Sequence, residues 1–433
     1  MLVCGAKLHF SFYLWPFQTK GFPLELLKSI TYPSFRTVFY FFRPVFVVYL
    51  HRNMAGLYIH IPFCQKRCIY CDFYSTVRLP LRAAYIEALC REIALRAGYL
   101  HGEPIGTIYL GGGTPSLLST EQLLHILQTA ERNLTIDADA EITIEVNPDD
   151  VTEAFARDLS SLPINRVSMG IQTFDDSMLH LIGRRHTAEQ AVIAFHRLRE
   201  AGIQNISLDL IYGLPGQSLH AWERDIDSVL RLAPEHLSAY ALIYEAGTPL
   251  WQLRQQGRVK ETDEELSLNM FTRLMDKTKA AGYEHYEISN FALPGKHSRH
   301  NSSYWRDVPY LGCGPSAHSF DGKSRQWNKS SLSAYIAAKG DTSGELSERE
   351  ELTFAMRHNE ALLKRLRTSD GLSLKYFSDT FGSALTDRLM ELVQGYIERG
   401  TLVYDDSKQT IRLSRSGLFI SDAIISDLFL EED

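Results

Sequence analysis

Three of the six cysteines, Cys64, Cys68 and Cys71, stand within eight positions in the stretch YIHIPFCQKRCIYCDF, residues 58–73, while the others lie apart at 4, 90 and 313. Three thiolates on one tight loop after a strand-like run are metal-ligating chemistry. Structural zinc takes four protein ligands, commonly as paired Cys-x2-Cys. No second pair lies nearby, and His60 falls on the preceding strand. Three cysteines can instead hold three irons of a cubane [4Fe-4S] cluster and leave the fourth iron open to a chelating small molecule. So sparse a cysteine usage is no disulfide framework, and a clustered trio in a large α/β chain points to a reducing, cytoplasmic setting.

Further polar groups stand at the ends of other apolar runs. GGGTP (111–115) follows one such run, Glu145 and Gln172 end two more, Asp209 lies in a fourth, and Arg184 sits on the turn LIGRRHT. Each alone is more often a satisfied interior group than a ligand. Glycines at such a turn also let the backbone approach a ligand closely.

These residues need a scaffold that brings strand ends together. From residue 57 strand-like and helix-like segments alternate six times: strands at 57–62, 107–112, 141–148, 166–172, 206–216 and 236–243, with helical periodicity between them. Such repeats predict a parallel sheet covered by helices, with chemistry at the carboxyl ends of the strands. The pattern does not by itself separate an open doubly wound sheet from a curved barrel. Beyond 250 the order changes. A long helix (263–282) precedes a strand-like run (283–292), an aromatic loop-rich stretch follows, and 340–350 is polar enough to be a linker. Helical runs and then two strand-like pieces around Asp405-Asp406-Ser407 suggest a small winged-helix-like module over 341–433.

At 433 residues the chain has room for a barrel and an appendage, and its 45% hydrophobic and 22% charged residues are those of a globular protein. A net charge of −7 gives no general attraction to nucleic acid or acidic membranes. Residues 1–53 differ: they hold 14 aromatic residues and a charge of +5. Their most apolar part runs for 14 residues and is broken by Arg43-Pro44, short of the roughly 20 apolar residues of a spanning helix. We expect this stretch to be a leader outside the fold, with Met54 as the functional start, and a membrane-surface anchor as the alternative.

The Cys-x3-Cys-x2-Cys loop after a first strand resembles the signature of the radical S-adenosylmethionine superfamily. Taken in order, YIHIPFCxxxCxYCDF, GGGTPS, EVNP, GIQTF, IGRRHTAEQ, DLIYGLPGQ and HNSSYW resemble the HemW family of heme chaperones, close relatives of oxygen-independent coproporphyrinogen III oxidase. The resemblance spans nearly everything after Met54. It implies a partial (β/α)6 barrel over 54–250, an extension over 251–340, a [4Fe-4S] cluster on Cys64, Cys68 and Cys71, and S-adenosylmethionine. Tyr58, Tyr70, Gly112, Gly113, Thr114, Glu145, Gln172, Arg184 and Asp209 form the implied cofactor set, with Tyr70 shielding the cluster. The loop carrying His300, Asn301, Tyr304 and Trp305 is the implied heme site, with an imidazole as axial ligand and aromatic rings to stack on the porphyrin. A plain hydrogen-bonding loop histidine is the competing reading of His300. The implied partners are heme or a related tetrapyrrole and a heme-accepting protein, with transient contact to a membrane-bound acceptor conceivable and no nucleic acid. The alternative function is oxidative decarboxylation of coproporphyrinogen III. The oxidase carries a further cysteine two positions after the third; Phe73 stands there in this chain, which argues against that activity.

Overall fold

A computed structural model describes residues 54–431; the leader-like stretch 1–53 lies outside the described residues. Six parallel strands form the first half: β1 (Ala55–Ile61), β2 (Ile105–Gly112), β3 (Ile136–Val146), β4 (Arg166–Gln172), β5 (Ile206–Tyr212) and β6 (His236–Ala241). Between them run α1 (Arg82–Leu95), α2 (Thr120–Asn133), α3 (Glu153–Leu159), α4 (Asp176–Leu181), α5 (Ala188–Glu200) and α6 (Leu219–Leu232). The strands lie side by side in chain order. A doubly wound sheet would reverse its order at a switch point; this one never does, and a twisted sheet wound one way curls into a partial barrel.

Alternation along the strands sorts the side chains. Leu57, Ile59 and Ile61 join the main core with Leu89 and Ile93 of α1, whereas Tyr58 and Tyr109 pack in a separate cluster with Ala317 and Phe73 inside the curve. The helices begin where their sequences say they should. Ser119 with Gln122, and Thr187 with Gln190, close reciprocal capping boxes on α2 and α5.

After β6 come α7 (Pro249–Gln255) and α8 (Glu264–Ala280), the long helix read from the sequence. The run 283–292, expected as one strand, is instead a tight hairpin of β7 (Glu284–Glu287) and β8 (Asn290–Ala292), with β8 antiparallel to β6. Glu287 turns the chain there, accepting from the Ser289 N–H and the Asn290 side chain, and a two-residue turn does not interrupt the alternation. HNSSYW is not a loop but a short helix, α9 (Arg299–Trp305), whose first turn is capped by Ser298. The aromatic stretch after it forms β9 (Tyr310–Cys313), β10 (His318–Phe320) and β11 (Ser324–Asn328), then α10 (Leu332–Ala337). The polar stretch expected as a linker ends in β12 (Ser347–Glu351), which pairs with β11 as the outermost strand of the twelve-stranded sheet. Its charge suits an exposed sheet edge, where charged side chains discourage pairing with another chain.

The last portion holds α11 (Phe354–Leu366), β13 (Leu372–Ser373), α12 (Leu374–Phe381), α13 (Ser383–Glu398), β14 (Leu402–Asp405), β15 (Thr410–Leu413) and α14 (Ser421–Ser426). Its small sheet has the order β13-β15-β14. Helix, short strand, two helices and a hairpin is the succession of a winged helix. Among the described residues no helix is long and apolar enough to cross a membrane.

One buried carboxylate joins distant parts of this frame. Glu92 of α1 is fully buried and accepts from the Gly314 N–H (2.7 Å), Asn328 Nδ2 (2.7 Å) and the Tyr335 hydroxyl (2.6 Å). It pairs with Arg96 at 3.1 Å, and Arg96 also donates to the Gly312 carbonyl and the Ser319 hydroxyl. The stretch 312–342 is thereby fastened to the first helix of the barrel.

Candidate functional site

The cysteine loop follows β1 and is tied down along its length. The Cys64 N–H donates to the Thr76 carbonyl (2.9 Å) and the Thr76 N–H to the Pro62 carbonyl (2.7 Å), closing the base. The Ile69 N–H reaches the Ile182 carbonyl (3.1 Å), and the Leu250 N–H the Ile69 carbonyl (2.9 Å). All three thiols are free and partly accessible. Side-chain donors reach the sulfurs: Thr114 Oγ1 lies 3.6 Å from Cys64 Sγ, and Arg184 Nη1 lies 3.7 Å from Cys68 Sγ. Burial, partly offset by the Thr114 hydroxyl, pushes the Cys64 thiol up; burial pushes Cys71 up to about 12 against a backbone hydrogen bond from Phe73.

The donor set suits a cluster better than a single ion. Structural zinc takes four protein ligands, and this loop offers three thiols; a cubane takes one thiolate at each of three irons.

The glycine run is held by packing. Gly112 has φ +108°, and a Cβ there would stand 2.6 Å from the His60 ring. A Cβ on Gly113 would meet the Phe63 carbonyl oxygen at 2.7 Å and that of Ile61 at 2.9 Å. These glycines let the end of β2 lie against the base of the cysteine loop, a reason different from the ligand approach expected from the sequence. Gly113→Ala should therefore displace that base. The expected result is a loss of about 1–3 kcal/mol in denaturant unfolding, together with reduced iron uptake on reconstitution; unchanged values of both would show that the loop yields without cost.

Around this rim the other expected residues converge. Glu145 accepts from the Tyr109 hydroxyl (2.8 Å) and the Gly112 N–H (3.1 Å), which fix the orientation of its carboxylate. Gln172 is a non-glycine residue at φ +72°, beside a register shift between β4 and β5. A left-handed residue at a strand end is a strained feature that the surrounding structure must hold. Arg184 donates to Asn147 Oδ1 (2.6 Å) and the Gly170 carbonyl as well as to Cys68. Its Nε is buried without a partner, a donor available to an acceptor such as a carboxylate. Burial opposes its charge, but Tyr70 and Cys68 outweigh that and hold its pKa up. Tyr70 packs against Ile182, Ile211 and Leu214 beside the loop. Asp209 sits lower, accepting from Ser168 at 3.1 and 3.2 Å; burial raises its carboxyl against hydrogen bonds from Ser238 and Ser168.

Inside the curve lies a stacked column that the sequence reading missed. The Tyr58 hydroxyl lies 3.0 Å from His60 Nδ1, the Tyr58 ring stacks on Tyr109 (6.2 Å), and Tyr109 stacks on His300 (5.1 Å). Inward positions of β1 and β2, two residues apart, supply the first three, so the alternation was the available signal.

The α9 residues lie elsewhere than the cysteine loop. His300 contacts Thr107 and Gly56, near the amino ends of β2 and β1, at the opposite end of the barrel. Glu141 of β3 accepts the Arg299 and His300 N–H groups at 3.1 and 3.0 Å and anchors the helix there. His300 is 1% exposed, on a helix rather than a loop. Its Nδ1 bonds Thr107 Oγ1 (2.8 Å), its Nε2 bonds the Tyr304 hydroxyl (2.9 Å), and burial lowers its pKa to about 3. An iron could reach Nε2 only by displacing Tyr304. Asn301 and Trp305 are buried too, with Asn301 Oδ1 and Trp305 Nε1 lacking hydrogen-bond partners. Tyr304 meets Tyr310 edge-on at 4.8 Å.

Comparison with known proteins agrees with this architecture. Residues 58–229 match the Radical SAM superfamily and residues 355–420 the HemN C-terminal domain. The chain is 35% identical to a heme chaperone HemW of Bacillus subtilis (strain 168), over 86% of this chain and 98% of that one. It is 29% identical to the mitochondrial radical S-adenosyl methionine domain-containing protein 1 of Danio rerio, covering 88% of each. In fold it is similar to the coproporphyrinogen III oxidase HemN of Escherichia coli, a radical SAM enzyme, with TM-score 0.75 at 24% identity over 87% of this chain and 90% of that one. With a radical SAM barrel, a HemN-type C-terminal domain and this likeness over the full length of a HemW, the chain belongs to the HemW family of the radical SAM superfamily.

Proposed function

We propose that this protein is a heme chaperone: it binds heme and hands it to a heme-requiring protein, with a [4Fe-4S] cluster and S-adenosylmethionine setting its state. The observation that carries this reading is the likeness to a heme chaperone across 98% of that protein's length. Radical SAM proteins carry such a cluster and bind S-adenosylmethionine, and the bound pair supplies one-electron chemistry. In this reading Cys64, Cys68 and Cys71 ligate the cluster. Glu145 receives cofactor hydroxyl or amine hydrogens while Tyr109 and Gly112 fix its orientation. Arg184, held by Asn147, presents its unpartnered Nε to a carboxylate. Gln172 and Asp209 complete the polar wall, Tyr58 and Tyr70 close it, and heme binds at α9 through the His300, Asn301, Tyr304 and Trp305 group.

The test is anaerobic incubation of cluster-loaded protein with heme and, separately, with coproporphyrinogen III, reductant and S-adenosylmethionine. Saturable heme binding and no protoporphyrinogen are expected, because Phe73 packs with Tyr58 and Tyr109 where the oxidase has its further cysteine. His300→Ala should alter the heme spectrum. Turnover of coproporphyrinogen III would replace the chaperone reading with the oxidase one, and an unchanged spectrum would remove His300 from the site.

A further inference from the structure

A cleft of about 450 Å3 opens on the side of α9 away from the barrel interior, between that helix and the C-terminal module. Trp305 and Arg306 line it from α9 and the residue after it, Arg365 and Tyr376 from α11 and α12, and Tyr286 and His297 from the hairpin and the segment before α9. Its size falls among those of small-molecule sites.

Two groups of its wall are left without partners. Trp305 Nε1 and Arg365 Nε are buried with no hydrogen-bond partner. Trp305 is 4% exposed. Unmade hydrogen bonds at buried groups are costly, and both of these are donors, so the missing partner is an acceptor. The carboxylates at the cleft already have partners. Asp307 is held by Lys364 (2.8 Å) and Arg365 (3.1 Å), and Asp370 lies 3.5 Å from Arg306. Flat faces complete the lining: Arg365 lies over Tyr376 at 4.2 Å, and Tyr286 stacks with His297 at 4.1 Å.

We propose that this cleft binds the carboxylate-bearing edge of a planar aromatic ligand; resting on the chaperone reading above, that ligand is heme and the edge its propionates. The bond that α9 offers is then a donated hydrogen bond from Trp305 on the outer side of the helix, distinct from the buried imidazole of His300 on the inner side.

The test titrates the full-length, cluster-loaded protein with heme and with heme dimethyl ester, which lacks the carboxylates but keeps the ring and iron. Heme should bind at least about tenfold more tightly than the ester, the worth of one hydrogen bond to a charged group. Trp305→Phe, which keeps the ring and removes Nε1, should weaken heme alone and narrow that ratio. Equal affinity for acid and ester in the unmodified protein overturns the cleft as the carboxylate site while leaving heme binding intact, and this comparison requires no variant to fold. Binding of neither compound overturns the chaperone reading and the cleft with it.

Discussion

Replacing any one of Cys64, Cys68 and Cys71 with alanine is expected to abolish the visible absorption of anaerobically reconstituted protein and to reduce its iron from about four per chain to near zero. The size of the effect follows from the loop. Three irons would be served by three thiolates, and the structure offers no fourth cysteine within the loop to substitute. Burial also favours the protonated thiols of Cys64 and Cys71, so the thiolate state depends on a cationic centre that all three share. Two thiols would neither neutralise that centre nor anchor it. Iron content, the absorption spectrum and the low-temperature electron spin resonance of the reduced protein are the measurements. One zinc per chain with no iron uptake would overturn the cluster assignment.

A second large effect is expected far from the rim. Glu92→Ala should destabilise the fold by about 3–5 kcal/mol, because removing one member of a buried ion pair leaves the other uncompensated. Arg96 would keep its bonds to Gly312 and Ser319 but lose its counter-charge, while the Gly314 N–H, Asn328 and Tyr335 would lose their shared acceptor. Glu92→Gln, which keeps an acceptor of the same shape, should lose less. Equilibrium denaturation of the three proteins measures this; a loss below about 1 kcal/mol for the alanine variant would show that water or a local shift replaces the carboxylate.

The parallel alternation of strands and helices was legible because its signals are local, whereas its closure into a barrel rather than an open sheet rested on the family resemblance. Six alternations of period, each ending in polar or glycine residues, give both the elements and the end of the strands where side chains gather. The cysteine spacing gave the donor set in the same way, since its three members lie within one loop. What the sequence concealed depends on contacts between distant segments. Glu92 reads as one more acid on an amphipathic helix, and its partners other than Arg96 lie more than 200 positions away. The burial of His300 was hidden because neither Thr107 nor Glu141, which hold and orient it, is near it in the chain. The two-residue turn at Ile288-Ser289 was hidden because the residues on either side keep the alternation of a single strand. The charged strand β12 resembled a linker because an exposed sheet edge and a solvated linker favour the same residues.

The stacked rings of Tyr58, Tyr109 and His300 also stand between the two ends of the barrel. Thr107, which holds His300, and Gly112, at the cysteine-loop rim, are five residues apart on one strand, or about 17 Å at the rise of an extended chain. A tetrapyrrole seated against α9 would enter and leave from the amino-end side, and a reactive species made at the rim would meet aromatic rings before it met the porphyrin. On the chaperone reading, cargo and cofactor would be held at opposite ends of the barrel, so that neither would lie in the other's way.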